Sequence, residues 1–99
     1  MEKNDIYEFV TICDAFVRST LELRNAAALC DNDPVKQEMI AFVVPDFHKM
    51  YARSEGIKVI LEKQDFSENK SFILQEMRSV TKENQEITKK IKDKLGCLN

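Results

Sequence analysis

Apolar side chains recur every three or four positions from near the start of the chain almost to its end. Ile6, Phe9, Cys13, Phe16, Thr20, Leu23, Ala27 and Cys30 form one unbroken stripe of that period, which predicts a first helix over about residues 5–30. Val10, Val17, Leu21 and Ala28 widen the stripe on one flank, a breadth suited to a globular core rather than a two-stranded seam. Asn4 or Asp5 is placed to cap the opening amides.

Asp31-Asn32-Asp33-Pro34 interrupts the pattern. Asp33 is a good N-cap, and Pro34 at the first helical position gives up an amide hydrogen that has no helical partner there. A second helix is expected over about residues 34–63, with Val35, Met39, Ile40 and Val43 turned inward. Pro45 removes a backbone bond and crowds the carbonyl four residues back. The helix therefore either kinks there or stops near Phe42, with Pro45 and Asp46 opening a new one; the resumed period through Phe47, Met50, Tyr51, Ile57, Ile60 and Leu61 favours a kinked, nearly continuous helix. A short strand over Ile57–Leu61 would have no pairing mate. Gly56 sits inside this pattern and costs about 1 kcal/mol relative to Ala.

A last break falls at residues 64–68. Asp65 and Glu68 have capping-box spacing, Ser67 is an alternative cap, and the final helix should run over about 67–95 with Gly96 terminating it. The fold expected is all-α: one domain over residues 1–99, a small antiparallel bundle of three to four helices with a long C-terminal coiled-coil-like helix.

The final helix changes character along its length. Ile73, Met77, Val80, Asn84, Ile87 and Ile91 alternate four and three apart, and nearly everything else between Thr81 and Lys94 is polar or charged. So narrow a stripe reads as a coiled-coil seam. If the second helix breaks at Pro45 it covers only part of this seam, which makes Met77, Val80, Asn84, Ile87 and Ile91 the expected partner-binding residues. Asn84 is then either a polar residue at the wet end of the bundle or a register-setting contact with a partner helix or second copy.

Composition narrows the function classes. Two glycines and two prolines in 99 residues leave too few turns for an all-β fold. The net charge of −2 and pI near 5.4 argue against nucleic acid as the main partner. Charge is unevenly placed: residues 1–48 hold nine acids and four bases, residues 49–99 eight acids and eleven bases. Different solvated faces explain this most simply, with head-to-tail association or a partner on the acidic face as the rivals. No stretch is apolar enough to span a bilayer, and no signal-peptide core follows the polar first residues. Cys13, Cys30 and Cys97 form no paired motif, which points to reduced thiols and a cytoplasmic location.

Candidate chemistry is sparse. Cys13 and Cys30 stand roughly 25 Å apart along one helix and cannot bridge, whereas Cys97 lies past the last helix and could oxidise. His48 is the only histidine. Helical phosphotransfer domains resemble this architecture, but they place a basic residue and a glycine soon after their histidine; here Lys49 is adjacent and Gly56 eight away. No metal-ligand spacing, phosphate loop or nucleophile elbow is present. We expect no catalytic residue, cofactor or metal. Lys89, Lys90, Lys92 and Lys94 form a possible basic edge, although acids interleave with it and no aromatic platform accompanies it.

The expected function is a non-enzymatic protein–protein interaction module, a small adaptor or chaperone-like protein binding a partner helix or a second copy, the latter as a dimer. The Glu83-Asn84 pair in a late amphipathic helix resembles the small acidic helical export chaperones of bacterial type III and flagellar secretion, a likeness confined to the last third of the chain; it implies client binding. Two alternatives stand beside this: a dimeric nucleic-acid-associated regulator using the lysine edge, and a viral or phage accessory inhibitor of a host protein.

Overall fold

A computed structural model describes residues 3–62 and 66–96 and is all-α, with no strand among them. Helix α1 spans Lys3–Ala28, α2 Pro34–Met39, a single 3₁₀ turn Ala41–Val43, α3 Val44–Glu62 and α4 Phe66–Gly96. The long helices run up, down and up. Consecutive ones are antiparallel, and α1 lies parallel to α4: Asp5 pairs with Lys70 at 3.1 Å and Glu8 with Arg78 at 2.7 Å, while Asn84 meets Ser19 further along. The acidic first half of the chain and the basic second half are thus joined within one molecule.

Local chemistry sets the boundaries. α1 begins at Lys3, so Asp5 sits in its first turn, favourably placed at the positive end of the helix dipole, instead of capping it. Past Ala28 the chain turns, and Asn32 takes a left-handed conformation with φ 65°, one that asparagine tolerates better than most residues. Asp33 then caps α2 as expected: its Oδ1 accepts from the amides of Val35 at 3.1 Å and Lys36 at 3.2 Å.

The second helix is not kinked but broken, and the break precedes Pro45. α2 ends at Met39, its cap Ile40 leaves helical geometry at φ −102° and ψ 8°, and the 3₁₀ turn leads into α3. Pro45 then occupies the first turn of α3, where a missing N–H costs nothing. Ile40 and Val43 of this corner are buried in the core. Ile57–Leu61 lies within α3 as helix. Asp65 and Cys97, assigned a cap and a reactive thiol above, lie outside the described residues.

The core is organised around α4. Ile73, Leu74, Met77, Val80, Ile87 and Ile91 are buried together with Ile12, Leu23 and Ala26 of α1, with Cys30 of the turn that follows it, and with Val43, Met50 and Ile57 from the 3₁₀ turn and α3. α1 packs along α4 on one side and α3 along it on another, whereas the backbones of α1 and α3 stay apart. Arg53 pins α3 to α4: its guanidinium donates to Glu76 at 2.7 Å, to Ser79 at 2.9 Å and to Glu83, and Lys49 joins Glu83 at 3.6 Å. Arg53 is held in its charged form, chiefly by the bond to Glu76 and against the cost of burial.

Candidate docking groove

Helix α1 carries more apolar surface than α4 can cover. Ile12, Ser19, Leu23 and Ala26 face inward and are buried, and Phe9, Cys13, Phe16, Thr20 and Ala27 beside them are half-buried. The next strip around the helix, Ile6, Val10, Val17, Leu21 and Ala28, is exposed, with Val17 at 53% and Leu21 at 50%. The broad stripe read from the sequence is therefore real as a helix face, but its flank is left uncovered by the described residues.

That flank borders a groove between α1 and α3. Its deeper end is a cavity of about 720 Å³ lined by Thr20, Leu23, Arg24, Ala27 and Ala28 of α1, by Phe47, Met50, Tyr51, Ser54 and Glu55 of α3, and by Asn84 from below. A second cavity of about 500 Å³ continues it past Phe16, Val17 and Leu21 on one wall and Ile57, Lys58 and Leu61 on the other, with Met77 beneath. The two share Thr20, Arg24, Ser54 and Glu55 and adjoin along the same groove. The α1 wall reaches from Cys13 to Ala28, roughly 23 Å at the helical rise, and Asp31 in the following turn extends it. The α1 wall is mainly apolar and the α3 wall mixed, with Tyr51 at 69% exposure on its rim.

Asn84 lies at the floor with 1% exposure. Its Nδ2 donates to Ser19 Oγ at 3.2 Å and to Thr20 Oγ1 at 3.3 Å. Both hydroxyls spend their protons on the Phe16 carbonyl, at 2.8 and 3.0 Å, so toward Asn84 they can only accept. With the amide so placed, Asn84 Oδ1 is buried without a partner among the described residues. Thr88, also buried and not anticipated from the sequence, donates to the Asn84 backbone carbonyl at 2.8 Å.

The seam expected to be open is closed. Met77, Val80, Asn84, Ile87 and Ile91 are 1, 0, 1, 5 and 0% exposed. The period was read correctly, but α1 lies parallel to α4 along the seam, and the α2 corner folds back onto α4 where a continuous second helix would have run past it. Docking through those five residues has no surface to use. Asn84 is neither at a wet end nor, in this chain alone, facing a partner; it sets the register of α4 on α1.

Lys89, Lys90, Lys92 and Lys94 are exposed on the last turns of α4. At 100° per residue they spread over about 200° of the helix circumference, so they form a sleeve, not a stripe. His48 is exposed on the rim of the larger cavity. Among the described residues no three His, Cys, Asp or Glu side chains cluster to hold a metal, and no helix is long and apolar enough to cross a membrane. Burial pushes the Cys13 and Cys30 thiols up from their ordinary value.

The groove was only half legible beforehand. Val17 and Leu21 were recognised as apolar flank, but the separation of α1 from α3 depends on tertiary geometry that periodicity does not encode. No known family model, curated protein or solved structure matches this chain.

Proposed function

We propose that the protein is a non-enzymatic docking module whose α1–α3 groove receives an amphipathic α-helix from a partner protein. One observation carries this reading: two long helices flank a third without closing on each other. In a four-helix bundle that arrangement is the bundle with one corner vacant, and the vacancy is bordered by the exposed apolar strip of α1. A helix of about 18 residues, roughly 27 Å long, spans the channel with about two residues to spare.

The surface area agrees. The chain exposes 7005 Å² at 11.5 kDa, about 1,200 Å² more than the area–mass scaling of folded monomers gives. Elongation, with extents of 49 × 22 × 17 Å, accounts for part of that excess; the uncovered flank of α1 adds to it. A standard interface buries about 800 Å² per partner, so seating one helix with its flanking contacts falls in the right range. An adaptor or chaperone-like role follows naturally from such a groove, and the type III and flagellar export chaperones, which the late helix resembles, bind clients.

The test is position-specific. A photo-crosslinking residue is placed at Val17 or Tyr51 in the groove and, as control, at the exposed Val35 in α2, in cells expressing the protein. The expected result is crosslinking from the groove positions alone, with the linked peptide falling in one helical stretch of the partner or of a second copy. Equal crosslinking from Val35, or none from the groove, overturns the reading.

A further inference from the structure

The outer strip of α1 carries a heptad pattern of its own, distinct from the buried face. Val10, Asp14, Val17, Leu21, Arg24 and Ala28 alternate four and three apart, and all are exposed. From Val10 to Ala28 they run roughly 27 Å, the length of helix that spans the groove. Val17, Leu21, Arg24 and Ala28 also line its two cavities, so the strip is the outer lip of the groove. Apolar side chains fill the pattern except at Asp14 and Arg24, which are opposite in charge. Asp14 pairs with Arg18 at 2.9 Å, but the two side chains are 62 and 69% exposed, and such a contact is worth little in water. Arg24 makes no ion pair among the described residues.

These six positions complement themselves. When two copies of α1 lie antiparallel, strip to strip, with the two-fold axis level with Ser19, Val17 of each copy meets Leu21 of the other at the centre. Asp14 of each then meets Arg24 of the other, and Val10 meets Ala28 at the ends. A parallel pair instead sets Asp14 against Asp14 and Arg24 against Arg24. Sliding the antiparallel pair by one heptad sets Asp14 against Val17 or Arg24 against Leu21, according to direction. Charges within a seam select orientation and register in this way. A two-fold contact also makes every pairing twice.

We propose that the helix received at the groove is α1 of a second copy of this chain, antiparallel to the first, with Val17 and Leu21 of both copies at the centre and an Asp14–Arg24 pair on either side. This rests on the helix-docking reading above and names its occupant. The contact covers the apolar strip that a single copy leaves in water, and it gives Arg24 the carboxylate it lacks.

Charge swaps test the register. Arg24→Glu sets carboxylate against carboxylate in both pairs, and Asp14→Arg sets guanidinium against guanidinium. Either variant alone should therefore weaken the dimer, by about tenfold or more in dissociation constant. Mixed one to one, the two variants regain opposite charges in both pairs and should form a heterodimer about as tight as the wild-type dimer. Leu21→Glu, which puts a charge into the apolar centre, should be monomeric. Sedimentation equilibrium of the 99-residue chain and its variants at low salt measures this. Circular dichroism checks that each variant keeps its helices, as expected for substitutions at exposed positions.

The outcomes separate. A dimer indifferent to both swaps, or swapped variants that do not recover on mixing, overturns the proposal. So does a wild-type chain that stays monomeric. In that case crosslinks from Val17 and Tyr51 to a helix of another protein in cells keep the helix-docking reading, whereas their absence removes it as well.

Discussion

The side-chain nitrogen of Asn84 lies 3.2 Å from Ser19 Oγ, joining the middle of α4 to the middle of α1 inside a sealed part of the core. Ser19 is 2% exposed and Asn84 1%. Neither hydroxyl that meets Asn84 needs it, because Ser19 and Thr20 both donate to the Phe16 carbonyl. Asn84 gains two long bonds and leaves its own oxygen unpaired. For the isolated protein this is a net liability.

Asn84→Leu is therefore expected to stabilise the free protein by about 1 kcal/mol, a rise of roughly 4–8 °C in Tm for a domain of this size. Thermal unfolding followed by circular dichroism measures it. A loss of stability of similar size would show that Oδ1 is satisfied in solution.

Arg53 is the opposite case, a polar residue whose removal should hurt. Its side chain is 21% exposed and gathers Glu76, Ser79 and Glu83 from one face of α4. Arg53→Ala leaves two neighbouring carboxylates without their shared cation and should cost about 1–2 kcal/mol, less in high salt. Arg53→Lys should recover little, since a single ammonium cannot bridge three acceptors in fork geometry. Urea unfolding of the three proteins at low and high salt gives the comparison; full recovery by Lys would contradict the fork.

Gly56 lies inside α3, and a Cβ there would meet no atom within 4 Å. Gly56→Ala should add about 0.5–1 kcal/mol by restricting the unfolded chain and favouring helix. The denaturant midpoint should rise with no change in slope. A decrease would mean that the backbone at Gly56 is strained in a way the helix does not reveal.

These residues also show how much of the molecule could be read from the chain. Helical periodicity located α1 and α4 to within a few residues, and Asp33-Pro34 located the start of α2, because caps and amphipathic stripes are local physics. The seam from Ile73 to Ile91 was identified residue for residue. What failed was the question of what covers it. That answer depends on α1 running parallel to α4 and on Ile40 and Val43 turning the chain into the core, and neither leaves a mark within a single helical period. Pro45 misled for a related reason: it is compatible with a kink or with a helix start, and only packing of the corner decides between them. The groove followed the same logic. Val17 and Leu21 advertised an apolar face, but whether a neighbour covers them is a property of the assembled bundle.

The buried thiols give a pH dependence. Cys30 is 1% exposed, and burial, reinforced by Asp33 and Asp31 and opposed by Lys36, pushes its thiol above the ordinary 9.0. A group with a raised folded pKa contributes fully below its unfolded value and loses that contribution as pH rises past it. Stability should therefore be insensitive to this group from pH 6 to 8 and decline above about pH 9 as the unfolded thiol ionises. Urea midpoints across that range, compared with Cys30→Ala, isolate the effect; identical slopes above pH 9 would contradict it. At neutral pH alkylation of Cys30 should follow global unfolding.

The most direct test of the docking site is methyl-resolved NMR of the ¹³C-labelled protein titrated with an 18-residue amphipathic helix taken from the partner segment that crosslinks to Val17 or Tyr51. The expected result is progressive shifts at Val17, Leu21 and Ala28 on α1 and at Met50 and Leu61 on α3, with the methyls of Val80, Ile87 and Ile91 left in their free positions. Movement centred on those three buried methyls, or shifts centred on Val35 and Phe42 with the α1 strip silent, would place the helix elsewhere and contradict the groove.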